Sequence, residues 1–212
     1  MRILILTAVA AEKEAVLRGL GDDSRFTVEL AGVGLVEAAV SAATILAASD
    51  YDLVISAGIA GGFPGRADIG SVVVASDIVA ADLGVQTLDG FSSLDELGFG
   101  TTRVPVAAEL AARVTGGLQA AGLAAAAGPV LTVATATGTA ATAAALAARV
   151  PGAAAEAMEG FGVAAAAHRR GMPVLEIRTI SNTVGPRDRD AWRIGDALKA
   201  LQAASSVLTE VL

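Results

Sequence analysis

Residues 156–182, EAMEGFGVAAAAHRRGMPVLEIRTISN, constrain the fold more than any other stretch of the chain. An alanine-rich run over 157–170 ends in two arginines, and Gly171 and Pro173 then forbid a helix from continuing. Residues 174–180 are β-branched and mostly apolar, interrupted by Glu176 and Arg178 on one face, which reads as a strand. Glu159 therefore falls at a helix start, and Arg178, Ser181 and Asn182 fall toward a strand end. Such ends face a common cleft in open α/β sheets. Gly160 and Gly162 in the first helical turn cost roughly 1 kcal/mol each against alanine, so something must approach the backbone closely there. Spacing alone leaves two readings of Glu159 and Arg178 open: a structural ion pair, or part of a ligand site.

The rest of the chain agrees with an α/β fold. Its 212 residues suit one α/β domain, expected to span residues 1–212. Residues 3–11 are apolar behind a single arginine, and they read as a buried first strand rather than a secretion signal. The protein is accordingly expected in the cytoplasm. Hydrophobic residues make up 54 % of the sequence, but much of this is alanine, and no run reaches the roughly 18 apolar residues of a membrane span. A net charge of −7 without a basic stripe argues against nucleic acid. The absence of cysteine excludes disulfides and thiolate chemistry, and no metal-ligand cluster or cofactor motif is present.

Taken in order, strand one leads into a helix with Glu12 and Glu14 in its first turn, where carboxylates complement the helix dipole. A weak strand over 26–33, a helix over 36–48 and a buried strand over 52–57 follow. Gly58-Ile59-Ala60-Gly61-Gly62 reads as a loop, and it lacks the G-x-G-x-x-G spacing of a dinucleotide site. Residues 69–79 form a strand. Residues 82–100 read as irregular, either a lid or subunit-contact loop or an ordinary surface loop held by Phe91 and Phe99. A helix over 105–121, a strand over 130–135 and a helix over 137–148 complete the pattern before residue 156. His168 is a helix C-terminal cation without a catalytic role. Trp192 opens a terminal helix, and Arg187 and Arg189 lie on the loop before it.

Met158-Glu159-Gly-Phe-Gly followed by EIRTISN resembles the signature of the purine nucleosidases and nucleoside phosphorylases. In methylthioadenosine/S-adenosylhomocysteine nucleosidases the strand ends Arg-x-Ile-Ser-Asp. Here it ends in Asn182 followed by VGPRDRDAW, which is more similar to the futalosine hydrolases of menaquinone biosynthesis. The resemblance implies a three-layer α/β sandwich, a central mixed sheet flanked by helices. It implies that Glu12, with Glu14 as the alternative, activates water, and that Ile59, Ala60 and Gly61 lie near the ribose. Ala136 and Thr137 would support the purine, Met158 would line the site, and Glu159 would hold the ribose hydroxyls. Arg178 would keep the carboxylates ionised, Ser181 would orient Asn182 against the base, and Trp192 would lie near the 5′ substituent.

The implied reaction is hydrolysis of the N-ribosidic bond of futalosine to hypoxanthine and dehypoxanthine futalosine, by a homo-oligomer without a cofactor. Two carboxylates in the first loop would repel phosphate, which favours water as nucleophile. A methylthioadenosine/S-adenosylhomocysteine nucleosidase is the alternative within the family, and a non-catalytic nucleoside-binding protein the alternative outside it. Futalosine carries a 5′ benzoate, for which Arg187 or Arg189 is the candidate partner.

Overall fold

The computed structural model describes residues 1–88 and 90–212, so Asp89, within the segment expected to be irregular, lies outside the described residues. The first half of the chain runs β1 (Ile3–Thr7), α1 (Ala10–Leu20), β2 (Phe26–Leu30), α2 (Leu35–Ala48), β3 (Leu53–Gly62) and β4 (Val72–Ala80). A hairpin of β5 (Gly84–Thr87) and β6 (Gly90–Ser93) follows, then α3 (Leu94–Leu97), β7 (Arg103–Pro105), α4 (Ala108–Ala120) and β8 (Ala125–Thr132). The last part comprises α5 (Ala140–Arg149), β9 (Ala155–Ala157), α6 (Gly160–His168), β10 (Val174–Thr183), a 3-10 turn (Arg189–Ala191) and α7 (Ile194–Val211). Among the described residues no helix is long and apolar enough to cross a membrane.

The sheet is mixed and curls back on itself. β2, β1, β3 and β10 run parallel, as do β4, β8 and β9. The two groups meet antiparallel twice, at β10 with β4 and at β3 with β9, so that β3, β10, β4, β8 and β9 close a ring. Strand β1 is buried at every position because both its neighbours are strands and both its faces are covered. Its alternation sends Leu4 and Leu6 toward a layer made by α2 and α6, with Ala38, Ala42, Val163 and Ala164. Ile3 and Ile5 turn to the opposite layer, where α1, α4 and α7 contribute Val16, Val114 and Leu201. Helix α5 covers the end of the sheet through Leu146, packed with Phe63, Leu131 and Val184. The expected sandwich with a central mixed sheet is therefore the observed architecture.

Several boundaries differ from expectation, and each difference has a cause in tertiary pairing. The helix expected over 157–170 starts only at Gly160, because residues 155–157 are drawn into β9 between β3 and β8. The loop expected at 58–62 is the continuation of β3, bonded to β10 on one side and β9 on the other. Strand β10 runs on to Thr183, past the expected end at 180. The described residues of 82–100 form two paired strands and a short helix, whose Ser93 and Glu96 satisfy each other's backbone N–H groups. Phe91 anchors it by lying 3.6 Å from the guanidinium of Arg149, while Phe99 stays exposed. The helices expected from 105 and 137 begin at Ala108 and Ala140, and the strand expected over 130–135 occupies Ala125–Thr132. Trp192 precedes the terminal helix rather than opening it.

The close approach demanded by the α6 glycines comes from the protein itself. A Cβ on Gly162 would meet the Leu35 carbonyl oxygen and lie 3.0 Å from the Ala39 nitrogen, both on α2. A Cβ on Gly160 would meet the carboxylate of Glu176. Helix α6 is thus small-residued on nearly all sides because it is wedged between α2 and the sheet. Gly162→Ala should overpack the α2–α6 contact and cost about 1–3 kcal/mol. Denaturant midpoints of the two proteins test this, and an unchanged midpoint would mean that α2 can move aside freely.

Candidate active site

The site is assembled where the two groups of strands meet. At the end of β1 the chain turns through Ala8 and Val9 into α1, and Glu12 in the first turn folds its side chain back over the turn. Its carboxylate accepts from the N–H of Ala8 (2.9 Å) and Val9 (3.2 Å), and across the sheet from the N–H of Ile59 (2.8 Å). Glu14 instead faces solvent and pairs with Arg18 at 3.7 Å. Of the two first-turn carboxylates, only Glu12 enters the site.

Arg178 lies in the middle of β10 and is 1 % exposed. Its Nε donates to Glu176 at 2.8 Å, its Nη1 to Glu159 at 3.4 Å and its Nη2 to the Ser56 hydroxyl at 3.1 Å. In the structure Glu159 both pairs with Arg178 and lines the cavity. Its other oxygen accepts from the N–H of Gly34, at the start of α2, at 3.1 Å. Because Glu159 is turned this way, the Thr132 hydroxyl accepts from the Phe161 N–H in the first turn of α6. A Cβ on Gly58 would lie 2.6 Å from Glu12 and 2.8 Å from Arg178. Glycine at 58 thus makes room for these two side chains, a reason the sequence reading, which looked to the ribose, did not supply.

Strand β10 carries a bulge at its end. Ile180 pairs with Ala60 but Asn182 pairs with Gly61, so Ser181 is the extra residue. In a regular strand Ser181 and Asn182 would point to opposite faces; with the bulge both line the same cavity. The Ser181 hydroxyl donates to Asn182 Oδ1 at 2.8 Å, and Asn182 Nδ2 donates to the Thr183 carbonyl at 3.1 Å, which fixes the amide's orientation.

These groups border a cavity of about 230 Å³. Of the expected residues, Glu12, Ile59, Ala60, Gly61, Ala136, Thr137, Met158, Glu159, Ser181, Asn182 and Trp192 all line it, and Arg178 lies behind Glu12 and Glu159. Arg187 lines it as well, 5.1 Å from the Trp192 ring; Arg189 does not. His168 is exposed at the far end of α6. Sequence reasoning gave no role to Glu156 or Glu176. Glu156 projects from β9 into the cavity and accepts from the backbone N–H of Thr137 at 2.8 Å and from its hydroxyl. Glu176, fully buried, is the tightest partner of Arg178. The visible signal was its place two residues before Arg178, on the same face of the strand.

Burial dominates the electrostatics. It raises the carboxyl of Glu12 above its ordinary range, although Arg178 and the N–H groups of Ile59 and Val9 pull it back and Glu159 adds to the rise. Burial likewise raises Glu176, against the pull of Arg178. Burial alone would lower Arg178, but Glu176, Glu159 and Glu12 together hold it above its usual value. The site thus presents a fixed cation behind, carboxylates in front, and an amide opposite them. Such an arrangement can hold a water molecule, stabilise positive charge on a sugar and receive negative charge on a departing group.

The phosphorylase superfamily profile matches residues 10–212. A futalosine hydrolase of Streptomyces coelicolor is 50 % identical, over 100 % of this chain and 97 % of its own. One from Acidothermus cellulolyticus is 47 % identical, over 97 % of this chain and 89 % of its own. Among solved structures, the native futalosine hydrolase of Helicobacter pylori superposes with a TM-score of 0.85 at 18 % identity, covering 100 % of this chain and 97 % of that one. At that identity the superposition bears on the fold alone.

A base must be ionised to accept a proton, and the Glu12 carboxyl is raised. If Glu12 is the base, activity appears only as pH rises through an acid limb above the ordinary glutamate range. Stability linkage has the opposite sign: the contribution of Glu12 and Glu176 is complete below the ordinary value and lost as pH rises through the raised one. A profile of kcat/KM against pH with its acid limb at or below the ordinary value would remove Glu12 as the base.

Proposed function

This chain belongs to the phosphorylase superfamily, and we propose that residues 1–212 act as a single domain that hydrolyses the N-ribosidic bond of futalosine. The observation that carries the reading is Glu12, a buried carboxylate held by three backbone N–H groups on the wall of a cavity shared with Glu159 and Asn182. Three carboxylates, Glu12, Glu156 and Glu159, line that cavity with one arginine, a poor receptor for a phosphate dianion and a suitable one for water.

In this reading Glu12 orients water beneath the anomeric carbon and takes its proton as the carbon–nitrogen bond breaks. Glu159 accepts from the vicinal ribose hydroxyls with the lone pairs that Gly34 and Arg178 leave free, and its charge favours the cationic ring. Arg178 is a positioning residue: it holds Glu159 in place and lowers the cost of ionising Glu12. The departing base is hypoxanthine, and Asn182 receives it. Asn182 Oδ1, already oriented by Ser181, accepts from N7–H, and the second hydrogen of Nδ2 donates to O6. An aminopurine would set its own hydrogens against that donor, a mismatch of a kind that discriminates by about 10⁴-fold.

Chromatography of the products from futalosine, inosine and methylthioadenosine, each with and without phosphate, tests the assignment. Phosphate-dependent release of a sugar phosphate would overturn hydrolysis. Glu12→Gln should lower kcat at least about a hundredfold while Glu14→Gln stays near wild type; the reverse pattern would reassign the base. Asn182→Asp should lose futalosine turnover and shift preference toward 6-aminopurine nucleosides. A wild type that cleaves methylthioadenosine as readily as futalosine would end the base-recognition argument.

A further inference from the structure

We propose that Glu156 is a specificity-determining residue that accepts the N1–H of the 6-oxopurine base, completing with Asn182 a two-sided reading of one base edge. The inference rests on the hydrolase reading for the identity of the base, and on the sheet for its geometry. Gly61 is paired to Asn182 of β10 on one side and to Glu156 of β9 on the other. Asn182, Gly61 and Glu156 therefore form one rung across three strands, and residues on one rung point to the same face. Two strand spacings separate the outer members by about 10 Å at the backbone. The middle member has no side chain, and a Cβ there would crowd Asn182 Nδ2 at 3.1 Å. The rung is a flat floor with a hydrogen-bonding arm at each end, suited to a planar bicyclic base whose N7 and N1 lie at opposite ends of one edge.

The Glu156 arm is chemically incomplete within the protein. Its two oxygens each accept one hydrogen bond, both from Thr137, so each retains acceptor capacity. Burial raises its carboxyl, the Thr137 bonds lower it and Asp82 pushes it up, so that among the described residues no cation compensates it. A buried carboxylate without a cation gains from any ligand donor that reaches it. Hypoxanthine places a donor, N1–H, at that end of its edge. Adenine places a lone pair there, which the carboxylate repels. Glu156 and Asn182 thus select the same tautomeric pattern from the two ends, through different atoms of the base.

The test measures binding of free hypoxanthine and adenine by calorimetry, and kcat/KM for futalosine and its 6-amino analogue, in wild type and Glu156→Gln. The glutamine amide can donate to an N1 lone pair but meets N1–H with hydrogens of its own. Hypoxanthine affinity and futalosine kcat/KM should fall about 10–100-fold, and the preference over the 6-amino partner should narrow by a similar factor. Equal losses for both base classes, or none, overturn the proposal. Should Glu156→Gln fail to fold, wild type that binds 1-methylhypoxanthine as tightly as hypoxanthine overturns the proposal without a variant. A wild type that leaves futalosine intact yet prefers hypoxanthine to adenine would sink the hydrolase reading and leave this one standing.

Discussion

A guanidinium buried in the middle of a strand governs this structure. Removing a charge from water costs several kcal/mol unless partners restore what water supplied. Arg178 finds those partners in Glu176 beside it on β10, Glu159 before α6 and Ser56 on β3. Other features follow from this one demand. Gly160 exists because Glu176 lies against the start of α6, and Gly58 because Arg178 and Glu12 meet above β3. The cluster sits behind the cavity wall, so the protein's most expensive charge and its proposed catalytic carboxylates are one electrostatic unit. Changing any member perturbs the others through an interior where screening is weak.

The parts of the site legible in the sequence were those delivered by local signals. A helix stopped by Gly171 and Pro173 announced the strand after it, and that strand put Arg178, Ser181 and Asn182 near its end. The MEGFG and EIRTISN matches located the rest. What stayed hidden depended on long-range pairing. Ala155–Ala157 has no strand pattern of its own and becomes β9 only because β3 and β8 leave a place for it. With β9 invisible, Glu156 was one more residue before a helix. The GIAGG run looked like a loop because glycine weakens a strand, yet here it continues β3 between two partners. The bulge at Ser181 left no trace in the sequence, and it brings Ser181 and Asn182 to the same cavity.

Glycine serves the site in an unexpected direction. The resemblance placed Gly61, with Ile59 and Ala60, near the ribose. In the structure Gly58 admits two charged side chains, and Gly62 admits the Ala67 carbonyl and Ile180. Only Gly61, bare between Asn182 and Glu156, keeps the floor of the cavity open. A single motif therefore divides between making room for neighbouring groups and lining the cavity floor, residue by residue.

The closed ring of strands has a consequence for biosynthesis. Strand β10 is the last strand of the chain, followed only by a 3-10 turn and the terminal helix, yet it joins the ring between β3 and β4. A ribosome delivers those neighbours more than ninety residues earlier: β4 ends at Ala80 and β10 begins at Val174. Until β10 emerges, both present unpaired edges, the condition under which nascent chains associate with the wrong partner. The same late insertion brings in Arg178 and Asn182. Chains that end before Val174 thus lack Arg178 and Asn182 together, and with them one wall of the cavity and the cation behind it.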